Sequence, residues 1–191
     1  MKARKALPHF LSAIAFITLM ASFTFVEPRE EAAAFKEEFR ATWANMKAYT
    51  LQVAEAMPAS KFTYKPTDEI RDFGGQLKHI SFSIYYMPGV FIEGKDLPFD
   101  PNYTDNAALV GGSKDAIILL LKQRFDAIDQ LVAGMSKKDL QSTVVLPFFD
   151  NKEVTKEELL VWLKNHTGHH NSQSIIYLRM NGITPPAYNG W

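Results

Sequence analysis

Apolar residues recur at spacings of three and four along four stretches of the chain, the period of helices that bury one face. In the first stretch Phe35, Phe39, Trp43, Met46, Tyr49, Val53 and Met57 form one stripe and predict a helix over Glu30–Met57, ended by Pro58. A connector, Phe62 to Asp68, contains Pro66 and so does not continue it. The second helix is expected to begin between Asp68 and Arg71. It carries Phe73, Leu77, Ile80, Ile84 and Met87, and Pro88 and Gly89 are expected to close it. Ser113 is placed to cap a third helix, whose stripe is Ile118, Leu121, Phe125, Ile128, Val132 and Met135. The fourth has the strongest start signal. Thr155 and Glu158 are spaced as a capping box, and the helix then runs to Asn181. Gly182 follows as a left-handed stop, and Pro185-Pro186 prevents resumption.

Four amphipathic helices of this length predict an all-α four-helix bundle occupying residues 30–191 as one domain. Two connections are long. Gly89–Gly112 is rich in Pro, Gly, Asn and Asp, which suggests a crossover rather than up-and-down wiring, and such loops also serve as lids. The stretch Ser136–Asn151 contains the apolar run Val144–Phe149, expected to be an extended, strand-like piece. Ile117, Leu119 and Leu120, beside the third stripe, hint at an apolar surface for a homodimer.

The beginning of the chain has a different pattern. Lys2, Arg4 and Lys5 precede an apolar run from Phe10 to Val26, followed by Glu27, Pro28, Arg29 and Glu30. This layout, over residues 1–26, predicts a signal peptide and export to the periplasm, or an N-terminal membrane anchor where the segment is not cleaved. The absence of cysteine excludes disulfides, thiolate metal ligands and a cysteine nucleophile. The formal net charge of the whole chain is zero, and the domain after the leading segment is weakly acidic. That balance argues against nucleic acid as a partner.

Candidate chemistry lies in the histidines. His9 falls in the leading segment; the others are His79 on the second helix and His166, His169 and His170 on the fourth. Leu159 and Leu163 begin the inward stripe of the fourth helix, and its next turns fall on His166 and His170 and then on Ser174 and Tyr177. Residues four apart on a helix stand about 5–6 Å apart, which lets two imidazoles share one ion. His169 is three residues from His166, also a chelating spacing, but is rotated off the stripe. His79, beside Ile80, can face the same interior from another helix. Hydrogen-bonded core histidines without a metal would give the same pattern. In favour of a metal, several imidazoles in an apolar core need partners.

Three segments then resemble the DinB-like superfamily of bacterial metal-binding four-helix bundles: Tyr64 to Ile80, Asn165 to Gln173, and Tyr177 to Tyr188. The similarity runs from about Glu30 to Trp191. The resemblance implies a divalent metal held by His79, His166 and His170, with His169 as a non-ligand. Many members carry Arg-Gly-Gln after the last histidine; here Asn171 and Ser172 precede Gln173, so the arginine is missing. Some relatives are thiol-dependent transferases, and this departure weakens that role for the present chain.

Three imidazoles leave a coordination position open, as in catalytic sites, and suit zinc or nickel best. Gln76 and Gln173, each three residues from a ligand, are candidates to orient them. Asp72 is read as a helix-start acid, Glu158 as held in the capping box, and Tyr86, Trp43 and Trp162 as core aromatics. Two functional classes follow. One is a metal-dependent enzyme, thiol transferase or hydrolase, acting on a small-molecule substrate. The other is a non-catalytic metal-binding or structural protein.

Overall fold

The computed structural model describes residues 28–188; the expected signal segment, residues 1–26, lies outside them. The chain forms α1 (Pro28–Ala56), α2 (Phe73–Phe91), the short α3 (Ala107–Val110), α4 (Lys114–Gly134), the short α5 (Lys137–Gln141), β1 (Thr143–Leu146), β2 (Lys152–Thr155) and α6 (Lys156–Met180). The four long helices are a bundle. Among the described residues no helix is long and apolar enough to cross a membrane.

Cross-helix bonds define the wiring. Lys36 near the start of α1 donates to the carbonyls of Ala133 and Met135 at the end of α4, at 3.1 and 3.0 Å. Lys114 at the start of α4 donates to Glu55 and Met57 carbonyls at the end of α1, both at 2.8 Å. The two helices are therefore antiparallel, and each places an ammonium on the other's orphan carbonyls, where the helix dipole is negative. Lys156 does the same for α2, donating to Ile92 O at 3.2 Å, so α6 is antiparallel to α2. By contrast Thr42 meets Lys164 and Thr50 meets Asn171, so α1 and α6 run parallel. Consecutive α1 and α2 are diagonal, and α2 and α4 point the same way. That arrangement requires the predicted crossover, because the chain must travel back along the bundle between them.

The core follows the expected stripes. Phe39 stacks on Trp43 (centroids 5.6 Å apart), Trp43 packs on Phe125 (4.7 Å), and the indole N–H donates to Phe125 O at 3.0 Å, so this buried polar atom is satisfied. Ser113 caps α4, accepting from Ala116 N at 3.3 Å, and the Thr155–Glu158 capping box is formed in both directions. Gly182 has φ +71°, a conformation that costs glycine nothing.

Four details depart from the expectations. Helix α2 starts at Phe73, not between Asp68 and Arg71, because Asp72 is extended and its carboxylate caps Gly75 N. It also runs through Pro88 to Phe91: proline breaks only the turn before it, and its fixed φ suits the turn after it. The run Val144–Phe149 splits into β1 and a 3₁₀ turn at Pro147–Phe149. β1 pairs antiparallel with β2 in the register Thr143↔Thr155 to Leu146↔Lys152, around Asp150 and Asn151, both at positive φ. Ile117 is buried, which leaves Leu119 as the exposed member of the suggested dimer surface.

Candidate metal centre

Helix α2 contributes His79 about two turns from its N-cap Asp72, and α6 contributes His166 and His170 one turn apart. Because the helices are antiparallel neighbours, the rings meet between them. His79 Nε2 and His170 Nε2 each lie 3.2 Å from His166 Nε2. The three residues offer ligand atoms within 4.8 Å of one another, the described residues' one such group of His, Asp or Glu. Imidazole nitrogens bound at 2.0–2.1 Å around a tetrahedral ion would stand about 3.3–3.4 Å apart. The donor set therefore fits a divalent ion in chemistry and spacing.

The surroundings aim lone pairs at that centre. The chain of bonds is directional. Arg71 O is a carbonyl and can only accept, so the Tyr177 hydroxyl donates to it, at 2.9 Å. Tyr177 then accepts from Gln76 Nε2 at 3.2 Å, which turns Gln76 Oε1 toward His170 Nδ1 at 2.7 Å. His170 Nδ1 must donate, and its Nε2 is left as a lone pair facing the other rings. His79 Nδ1 is hydrogen-bonded to the Tyr103 hydroxyl. His166 Nδ1 is buried with no protein partner; Trp162, one turn earlier, stacks on the ring at 4.7 Å and 20°.

Burial, the largest cause in each case, pushes His79 down to about 3, His166 to about 4 and His170 to about 3. Mutual repulsion among the imidazoles and the Arg71 guanidinium adds to the effect. All three rings are thus neutral at physiological pH, the form that ligates metal.

Sequence-based candidates separate cleanly. His79, His166 and His170 come together. His169 is exposed and hydrogen-bonds Gln173 at 2.9 Å, so Gln173 serves that histidine and not the centre. Gln76 is in the relay, Glu158 is occupied in its cap, and Tyr86 and Trp43 are buried core aromatics. Trp162, read as core, instead walls the centre; its i, i−4 relation to His166 was the available signal.

Tyr103 had no such signal, since the crossover loop has no period. The loop carries it past His79, and its ring stacks on Phe82 at 3.9 Å and 12°. Lys78 donates to Thr104 O at 3.0 Å. The half-buried Arg124 donates to Leu109 O and, at 2.8 Å, to Ser81 Oγ, tying loop, α2 and α4 together. Crossover and cover are one segment.

A groove of about 580 Å³ lies elsewhere, between α1 and α6, and none of the three histidines lines it. Donor chemistry, not cavity size, marks the centre.

A four-helix bundle with parallel and antiparallel neighbours and three inward imidazoles on two facing helices defines a class of metal-site proteins. The DinB superfamily model matches residues 30–174, and the chain belongs to this family. Among solved structures it is similar to a DinB-like protein of Bacillus cereus, with 19% identity and a TM-score of 0.64 over 80% of this chain and 97% of that one. A DinB-like protein of Bacillus subtilis matches at 19% identity and a TM-score of 0.60, over 80% and 98%. YfiT of Bacillus subtilis, described as "a probable metal-dependent hydrolase with an unusual four-helix bundle topology", matches at 14% identity and a TM-score of 0.60, over 95% and 94%. At these identities the likeness is one of fold. No curated protein matches the chain.

Proposed function

We propose that this chain is a metal-dependent enzyme of hydrolase type, acting on a small molecule at the His79–His166–His170 centre. The observation that carries the reading is the convergence of three neutral imidazoles through Nε2 with no fourth protein ligand among the described residues. A set of three is the pattern of catalytic rather than closed structural sites. Zinc or nickel suits these ligands. A divalent ion held there supplies Lewis acidity toward a substrate oxygen or a nucleophile.

The chain's own residues do the rest. Gln76 and Tyr177 fix the tautomer and angle of His170, and Tyr103 orients His79. Trp162 stacks on His166 and the crossover loop lays Tyr103 against His79, so the centre is walled on two sides. Among the described residues no carboxylate stands at the centre to act as general base, so proton transfer falls to Tyr103 or to solvent. The description of YfiT supports the hydrolase choice over thiol transfer, as does the missing arginine after His170.

The test is hydrolysis of a panel of chromogenic esters and amides by the metal-loaded chain, the chelated chain and His170→Ala. Turnover restricted to the loaded wild type supports the reading. Equal, background turnover in all three, with metal shown to be bound in the loaded wild type, favours the non-catalytic metal-binding alternative.

A further inference from the structure

Neighbouring residues on α6 serve different helices. His170 turns to Gln76 on α2, whereas Asn171 turns to Thr50 on α1. Asn171 is only 2% exposed, and chemistry fixes which way its amide points. The Thr50 hydroxyl donates its one proton to Met46 O at 2.7 Å. It can therefore only accept from Asn171, so Asn171 Nδ2 faces it, at 2.7 Å. Asn171 Oδ1 is the free end: it is buried and has no hydrogen-bond partner among the described residues. A buried acceptor without a donor destabilises a fold and calls for an explanation.

Asn171 lines the groove of about 580 Å³ between α1 and α6, a volume within the range of small-molecule sites. Gly168, one turn earlier, lines it too. Glycine inside a helix weakens it, and a Cβ here would meet only Met46 Cε, at 3.5 Å. The space at Gly168 is thus a missing side chain and not a close approach of backbones. The groove holds one acid and one base, Glu38 and Lys164, so it favours neither an anion nor a cation. Asn45 and Asn165 add two more side-chain amides. Met46, Ile175 and the edge-to-face pair of Tyr49 and Tyr188, with centroids 5.3 Å apart, supply apolar and aromatic wall. These walls call for an uncharged molecule with an apolar body, and Asn171 calls for a donor on it. A hydroxyl-rich ring would leave hydroxyls against Met46 and Ile175 without partners. An amide carries one N–H and one C=O side by side, which side-chain amides match in kind.

We propose that this groove binds a small neutral amide with an apolar or aromatic body, whose N–H donates to Asn171 Oδ1. Met46 is half-buried, and its sulfur lies 3.4 Å from Asn171 Nδ2. A methionine side chain is unbranched and adaptable, and its movement admits the N–H to the buried oxygen. The site lies apart from the three histidines and does not rest on the hydrolase reading.

The experiment is calorimetric titration of the full chain with N-methylhydrocinnamamide and with phenethyl ethyl ketone, the same skeleton with a methylene in place of the N–H. Hydrocinnamate, phenethylamine and methyl glucoside supply the anionic, cationic and hydroxyl-rich comparisons. The amide should bind about tenfold more tightly than the ketone, as pairing a buried acceptor predicts. Asn171→Leu should erase that preference without lowering the denaturant midpoint, because it removes the partnerless oxygen. Gly168→Leu should abolish amide binding by filling the groove, with helical circular dichroism and metal content as in the wild type. Absence of amide binding, equal binding of amide and ketone, or an undiminished preference in a folded Asn171→Leu chain overturns the proposal. Tighter binding of hydrocinnamate, phenethylamine or methyl glucoside overturns the ligand class. If Asn171→Leu does not fold, Gly168→Leu decides: unchanged amide binding there overturns the site.

Discussion

At the scale of residues, the centre depends on polar bonds that set which nitrogen of each imidazole bears the proton. Replacing Gln76 by Leu leaves His170 Nδ1 without its acceptor and removes the donor to the Tyr177 hydroxyl. Metal affinity should fall by about 10–100-fold, the usual effect of losing such an orienting bond. Metal-binding titrations monitored beside circular dichroism check this; an unchanged affinity in a folded Gln76→Leu variant would contradict the relay. The three histidines of the candidate centre were legible in sequence because the stripe Leu159–Leu163 continues into His166 and His170, and because His79 flanks Ile80. Gln76 was legible as a neighbour by spacing alone. Tyr103 was not, since its approach to His79 depends on the path of a loop without periodicity.

At the scale of elements, α6 matters most, because it carries two of the three clustered histidines and its start follows directly from β2. Thr155 closes the hairpin and caps the helix at once. Thr155→Ala should lower stability by about 1 kcal/mol, the cost of a lost N-cap, seen as a lower denaturant midpoint with unchanged slope. The crossover loop is held by Arg124, whose burial lowers its pKa to about 10 and whose guanidinium lies over Tyr85 at 4.8 Å. Arg124→Met removes the bonds to Ser81 and Leu109. Amide exchange across residues 92–113 should then accelerate while the cores of α1 and α4 keep their protection. Uniform acceleration everywhere would mean a global effect and not a loop clamp. Helix existence and stripe were readable from period alone; the ends were less so. Pro88 reads as a stop in isolation, yet packing of the buried turn from Tyr86 to Gly89 carries α2 past it. The hairpin partner β2 is short and polar, so nothing in its pattern announced it.

At the scale of the whole molecule, the apolar core stands independently of the histidines, so the metal-free chain should retain its helical circular dichroism; loss of most of that signal on chelation would contradict this. The centre still links stability to pH. Its three imidazoles titrate lower in the folded chain, at about 3 to 4, than the ordinary 6.5. Below pH 6.5 the unfolded chain therefore binds more protons. Stability of the metal-free protein should be full above that pH and fall as pH drops toward 4, with a midpoint in denaturant that follows. A triple His79→Gln, His166→Gln, His170→Gln variant should lose most of that slope. Added metal should stabilise the fold by mass action, by about 2.7 kcal/mol at a hundredfold excess over Kd, and raise the melting temperature with it. The export predicted from residues 1–26 is a separate proposal, tested by fractionating cells that express the full chain.

The central claim, that His79, His166 and His170 together hold one divalent ion, is tested most directly by elemental analysis of the full chain purified without chelator or affinity tag. Wild type and His169→Ala should each contain about one divalent metal per chain, and His79→Ala, His166→Ala and His170→Ala should each be nearly empty. A full site in His170→Ala with an empty one in His169→Ala, or a metal-free wild type after incubation with zinc and nickel, would contradict the account.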